Sequence, residues 1–301
     1  MMRPARAHPG VFPPEVRAAV TATACSLPCT QDVPLARWSR AELARRVAAA
    51  CPLAAVSTST IGRWLLAERI RPWRYRTWQH IHDPVPFLAR ARPVLQLYSN
   101  ARPLLQVGTW VVCVDEKTSI QARQAEQAPR PAIRRHCARQ SPRYTRRGAR
   151  HLIAGLSVAD GQVIGQCRKR KRFVDFQSFI STVLVPQAQQ RGVHTIALIV
   201  DNGTTHAPKQ LEHWLCEQAS AHSWGVQFQV YWLPPNASWL DQIEIWFSIL
   251  QRKLLEPNHF TSTEALEQAI TDFITYYNQT AKPINWTYTV EQLERKLGSY
   301  L

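Results

Sequence analysis

Apolar and polar positions alternate with two periods along the chain, and the change of period marks the elements. Trp110–Val114 is a short apolar run that ends in Asp115, and Thr195–Val200 is another that ends in Asp201. Both read as buried strands. Between them, His151–Val158 predicts a strand, Asp160-Gly161 a hairpin turn, and Gln162–Cys167 the returning strand. In Phe173–Gln190, Phe176, Phe179, Ile180, Val183 and Leu184 recur at helical spacing. A helix over Ala207–Ser220 and a strand over Val226–Trp232 follow. Then the turn Pro234-Pro235-Asn236 leads into a helix whose stripe is Leu240, Ile243, Phe247, Leu250 and Leu254. Ser238 is its expected N-cap, with Asp241 as the capping-box acid three residues on. Thr263–Asn278 is a last amphipathic helix with Leu266, Ala269, Ile270, Phe273, Ile274 and Tyr277 on one face, and Glu291–Leu297 adds a short turn. The order β, β-hairpin, α, β, α, β, α specifies an α/β mixed sheet with helices packed on it. The residues between Glu116 and Arg150 are expected to be polar and irregular.

The first 80 residues carry only helical signals. Pro13–Ala24 is a short helix. Ser39 and Glu42 form a capping box ahead of Leu43 and Val47, in a helix ending near Cys51-Pro52, and Ser57-Thr58-Ser59-Thr60 opens another over Ile61–Arg69. Helix, short turn and a second helix with small hydroxyl residues at its front is the layout of a helix-turn-helix. Thr58, Ser59, Thr60 and Arg63 would then face base edges or phosphates; a small helical bundle without DNA contact fits the same spacing. Arg71–His80 (RPWRYRTWQH) interleaves Arg71 and Arg74 with aromatic residues, as a linker lying on DNA or as an ordinary interdomain linker. Val85–Tyr98 reads as a helical connector. The expected organisation is a helix-turn-helix region over 1–80, a connector over 81–108 and a catalytic α/β domain over 109–301.

Charge narrows the choice of partner. The 301 residues hold 37 Lys and Arg against 21 Asp and Glu, a net charge of +16, most of it Arg. That balance favours a polyanion, nucleic acid before anionic membrane. Arg130–Arg150 contains eight Arg, among them Arg146 and Arg147, and no acid; Arg168-Lys169-Arg170-Lys171-Arg172 is a run of five cations. Phosphate contact is the natural use of both, against a solvated loop for the first and a nuclear-localisation run for the second. No apolar run is long enough for a membrane span, and the first residues lack the apolar segment of a secretory signal. The expected location is the cytoplasm. The seven cysteines are irregularly spaced and are read as reduced thiols, with Cys113 and Cys167 in strands.

Two strands ending in Asp and a later helix carrying Glu244 can bring three carboxylates together. Such a cluster repels itself when empty and suits divalent cations. Two Mg²⁺ ions about 4 Å apart can both activate a nucleophile and stabilise a leaving oxygen in phosphodiester chemistry, and Mg²⁺ needs only a few oxygen ligands. Asp115 would bridge the ions, with Asp201 and Glu244 each holding one. Strand alternation sends Glu116 to the opposite face from Asp115, so only one of the two can join a given metal site.

VVCVDEKTSIQA, ALIVDNGTTHAPKQLEHWL and PPNASWLDQIEIWFSILQRKLL resemble, in order, the three catalytic motifs of DDE transposases of the mariner-like superfamily, in particular its bacterial insertion-sequence branch of the IS-six-thirty type. The acids are 86 and 43 residues apart, and the resemblance runs from about Val111 to Trp286. It implies a ribonuclease-H-like catalytic domain, Mg²⁺ or Mn²⁺ (two ions), and cleavage and strand transfer at the ends of a DNA element into TA targets. It further implies double-stranded DNA partners (terminal inverted repeats and target DNA), a homodimer on DNA, and no membrane association. Carried over by position, the triad is Asp115, Asp201 and Glu244, with Asn202 and His206 on the family's Asp-Asn…His string. His206 then shapes the site or contacts DNA, or simply packs a helix start on the sheet. Asp241 stands where relatives usually have Asn; it caps the helix or perturbs the metals. Relatives often carry two helix-turn-helix units, and this chain is expected to begin between them. Two other readings share these features: a DNA-binding relative without catalysis, acting as repressor or inhibitor, and a ribonuclease-H-like nuclease acting on RNA–DNA hybrids or junctions.

Overall fold

In the computed structural model, residues 12–50, 56–75, 81, 83–221 and 224–298 are described. The chain divides into two compact units, Met1–His80 and Ile81–Leu301.

The first unit is helical. α1 (Pro14–Ala24), a 3-10 turn (Pro28–Gln31), α2 (Arg40–Ala50) and α3 (Thr58–Ala67) enclose Val20, Trp38, Leu43, Ile61 and Leu65. Each expected cap is made: the Glu42 backbone N–H donates to Ser39 Oγ at 3.1 Å, and that of Thr60 to Ser57 Oγ at 3.1 Å. Trp38 is buried because its Nε1–H reaches the Ser26 carbonyl at 2.9 Å. The expected helix end at Cys51-Pro52 and the linker beyond Tyr75 lie outside the described residues.

The second unit is a five-stranded sheet in the order β3-β2-β1-β4-β5. β1 (Thr109–Ala125), β2 (Tyr144–Ser157) and β3 (Val163–Arg168) form an antiparallel meander; β4 (Thr195–Val200) and β5 (Gln227–Trp232) lie parallel to β1. The parallel pairs are reached through crossover helices: α5 (Phe173–Phe179), a π-helical turn (Ile180–Leu184) and α6 (Val185–Gln190) before β4, and α7 (Pro208–Ala221) before β5. Alternation splits each strand between two cores. Trp110, Val112, Val114, Leu198 and Val200 face the α5–α6 side with Phe176 and Phe179. Val111, Cys113, Ala197 and Ile199 face the other, under α4 (Pro84–Gln106), α8 (Gln242–Leu250), α9 (Thr263–Asn278) and α10 (Val290–Leu297).

Two stretches differ from the sequence expectation. The irregular stretch is confined to residues 126–143: β1 continues to Ala125, pairing Lys117 with Leu152 and Gln124 with Thr145 across two bulges. Its polar composition hides the strand, but Ile120, Ala122 and Ala125 are buried, and Asn258 clips its outer side by accepting from the Arg123 N–H and donating to the Gln121 carbonyl. The stretch expected as a connector is the 23-residue α4, which buries Phe87, Ala91, Val94, Leu95 and Tyr98 in the core of its unit.

Tyr98 ties this helix to the start of α8. Its hydroxyl donates to the buried Leu240 carbonyl at 2.8 Å and lies 3.3 Å from Cys113 Sγ. Tyr98→Phe leaves that carbonyl without its donor. Denaturant unfolding should show a loss of ~1–3 kcal/mol, and an unchanged midpoint would mean the turn before α8 is held by packing alone.

Candidate functional site

The register of β1 with β4 builds the site. Cys113 is opposite Ile199 in a parallel pair, so two residues further on Asp115 and Asp201 emerge side by side, on one face, where the strands diverge. A carboxylate oxygen of each and a ring nitrogen of His206 lie within 4.8 Å of one another. Each Asp has one oxygen committed. Asp115 Oδ1 accepts from the Glu116 N–H at 2.7 Å; Asp201 Oδ1 accepts from the Gly203 N–H at 2.7 Å and meets His206 Nδ1 at 2.6 Å. Among the described residues neither Oδ2 takes a hydrogen bond. The Asp201 turn needs glycine at 203, since a Cβ there would sit 2.8 Å from Asp201 Oδ1.

Glu116 goes to the opposite face, as alternation requires, but it does not leave the site. Its Oε1 accepts from Thr205 Oγ1 at 2.7 Å, its Oε2 lies 3.3 Å from His206 Nε2, and Lys171 Nζ is 3.6 Å away. His206 is fully buried, with Phe176 edge-on at 4.7 Å. Burial works against its charge, yet the Asp201 and Glu116 carboxylates raise its pKa to about 10. Hydrogen bonding from His206 holds Asp201 below the usual carboxylate range. Burial pushes Asp115 up to about 7 against the pull of His206, with the Asp201 and Glu116 charges adding to the rise. Glu116, Thr205 and Lys171 were not among the residues singled out for this centre. The adjacency of Glu116 to Asp115 was visible, but the cross-face link through His206 was not.

The third expected acid lies outside the group whose ligand atoms come within 4.8 Å of one another. Glu244 is exposed in the first turn of α8 and is not one of the close-set group. Asp241 is its neighbour and is the helix N-cap, accepting from the Ile243 N–H at 3.2 Å. Ser238 does not cap the helix. It begins a 3-10 turn (Ser238–Leu240) that precedes α8 and leaves the capping position to Asp241. Asp241 is 2% exposed, and among the described residues its Oδ2 has no hydrogen-bond partner. Burial, then the Asp115 and Glu244 charges, drive its carboxyl well above the usual range. Asn202 closes the same end of the sheet, donating to the Leu233 carbonyl at 2.6 Å and accepting from Arg90.

Oxygen donors of this kind fit Mg²⁺ or Mn²⁺. Asp115 and Asp201 each present a free oxygen in an anionic pocket that a cation would neutralise. His206 is a poor ligand, because both ring nitrogens already face carboxylates.

The basic residues separate by their partners. Lys169, Arg170, Arg146 and Arg147 are exposed, Arg147 resting on Gln124. Arg168 binds Gln166 and Ser178, Arg172 pairs with Asp175 to cap α5, and Lys171 leans over Glu116. Arg150 is buried between Glu264 and Glu267, so it serves packing instead of phosphate contact. In the first unit Thr58, Ser59, Arg63, Arg71 and Arg74 are exposed, whereas Thr60 Oγ1 is occupied by Ser57 and Arg63.

A family model described as DDE superfamily endonuclease matches residues 110–267, more than half of the chain. The chain belongs to that family. Among solved structures, this DDE chain is similar to the Mos1 transposase paired-end complex with left transposon end (14% identity, 98% of this chain and 80% of that one, TM-score 0.53). It is equally similar to the mariner Mos1 paired end complex with Mg (14%, 99% and 82%, TM-score 0.53), and a pre-cleavage Mos1 transpososome follows (13%, 99% and 78%, TM-score 0.51). At such identities the likeness is one of fold, and it is the expected ribonuclease-H-like one. No curated protein matches the chain.

Asp241→Asn should raise the melting temperature of this DDE protein by a few degrees at pH 7. A carboxyl whose folded pKa lies above its unfolded value of about 3.9 binds more protons folded than unfolded, so it costs stability as pH rises through that window. The gain should shrink towards pH 4, and calorimetry showing an equal gain at both pH values would exclude this origin.

Proposed function

We propose that the protein is a transposase of the mariner-like superfamily, of the bacterial IS-six-thirty type. It would cleave DNA at the ends of a mobile element and join them to target DNA at TA sites, acting as a homodimer in the cytoplasm on nucleoid DNA. The observation that carries this reading is the Asp115–Asp201 pair, two carboxylates on neighbouring parallel strands, each with one oxygen fixed and one free. Asp115, Asp201 and Glu244 would hold two Mg²⁺ or Mn²⁺ ions, which when bound supply activation of a water or a DNA 3′-hydroxyl and charge stabilisation at the leaving oxygen.

The chain's own residues supply the rest. The backbone N–H groups of Glu116 and Gly203 set the two Asp rotamers. Asp241 fixes the first turn of α8 and with it the origin of Glu244. Lys171, at the rim beside Glu116, is placed to take a DNA phosphate, with Lys169, Arg170, Arg146 and Arg147 extending the cationic surface. In the first unit, Thr58, Ser59 and Arg63 at the front of α3 read base edges or phosphates in the major groove, and Arg71 and Arg74 add phosphate contacts.

Asp201→Asn should lower Mg²⁺-dependent nicking of duplexes carrying the inverted repeats that flank its own coding sequence by on the order of 10³-fold, while gel-shift affinity for those duplexes persists. Undiminished nicking would refute the assignment. Wild-type binding without nicking in either metal would favour the repressor reading, and faster cutting of RNA–DNA hybrids the nuclease one.

A further inference from the structure

Glu116 and His206 form a buried carboxylate–imidazole contact that the two-metal scheme does not use. Glu116 is one residue past Asp115 on the other face of β1, its side chain only 10% exposed. Three groups hold it: Thr205 Oγ1 at 2.7 Å, His206 Nε2 at 3.3 Å and Lys171 Nζ at 3.6 Å. His206 in turn spans to Asp201 Oδ1 at 2.6 Å. We propose that Glu116 and His206 are a positioning pair for Asp201: through the imidazole, Glu116 fixes one Asp201 oxygen and so presents the other toward Asp115 for a divalent cation. This rests on the reading of Asp115 and Asp201 as metal ligands.

Packing alone gives this pair no reason to exist. It sits against the edge of Phe176 at the margin of an apolar core, where apolar side chains of similar volume would cost no desolvation. The contact between His206 Nε2 and Glu116 Oε2, at 3.3 Å, is the longer of the two that the imidazole makes with carboxylates. The short contact is the one to Asp201. Asp201 is also the more exposed end of the chain of contacts, 41% against 10% for Glu116 and 1% for His206. Beside the Gly203 N–H at 2.7 Å, the imidazole is the one side chain that holds Asp201 Oδ1 among the described residues. Carboxylates that orient a metal ligand through an intervening group change metal affinity by about 10–100-fold when removed.

The test is Mn²⁺ binding to the full chain, read by the electron paramagnetic resonance signal of free Mn²⁺, without DNA and without turnover. Glu116→Ala should weaken binding about 10-fold, and Glu116→Gln, whose amide oxygen still accepts from Thr205, should stay within about twofold. His206→Asn should weaken it similarly, and the double variant Glu116→Ala/His206→Asn no further, because both act along one path. Should Glu116→Ala unfold, Thr205→Val, which removes only the anchoring hydroxyl, carries the same comparison. Wild-type affinity in a folded Glu116→Ala or Thr205→Val variant overturns the proposal. So does equal loss in Glu116→Gln and Glu116→Ala, which would make Glu116 itself a ligand. Failure of the underlying reading looks different: Asp115→Asn and Asp201→Asn would both keep wild-type Mn²⁺ affinity.

Discussion

The parallel register of β1 with β4 is the constraint on which the site depends. With Cys113 opposite Ile199, the period of two along each strand dictates that Asp115 and Asp201 leave the sheet side by side and on one face. A slip of one residue in either strand would turn one acid into the α5–α6 core. That register is specified by burial on both faces: Val112, Val114, Leu198 and Val200 fill one core, and Val111, Cys113, Ala197 and Ile199 the other. Hydrophobic packing therefore sets the spacing of two like charges that electrostatics would separate.

The same packing explains why the acids at this centre behave so differently. Asp201, at an open turn, accepts from Gly203 and His206 and is held ionised. Asp115 is carried further into the protein, where desolvation outweighs its contacts. Asp241 lies deepest and is a cap whose second oxygen has no hydrogen-bond partner among the described residues. Moving inward along this series, each acid gives up solvent and gains strain in its ionised form. A cation at Asp115 and Asp201 would relieve the first two, whereas nothing about the α8 cap requires its charge, since an amide oxygen accepts from the Ile243 N–H equally well.

The fold was largely legible because its signals were strong and local. Buried strands such as Thr195–Val200 are continuous apolar runs, the Asp160-Gly161 turn needs positive φ at Gly161, and helices such as α9 show a clean apolar stripe. What stayed hidden was tertiary in origin. The outer half of β1 is polar on its solvent side and is held by Asn258, far away in sequence, so no periodicity announces it. The eight arginines of 130–150 look alike until α9 supplies Glu264 and Glu267 to just one of them, Arg150. Ser238 and Asp241 both satisfy the capping pattern, and only the intervening 3-10 turn decides between them.

The candidate site shows the same division. Asp115 and Asp201 could be named from sequence because each ends an apolar run, and strand alternation correctly assigned Glu116 to the other face. Only one of the two acids can join a given metal site, yet Glu116 still reaches the centre through a neighbour, His206. Beyond the last paired residue of β4 the chain turns back as Gly203–Ala207. That turn inserts an imidazole between the faces and joins them. Alternation still holds at Asp115 and Glu116, where β1 remains paired with β2; what ends is β4, and beyond its last residue a turn can reach side chains on both faces.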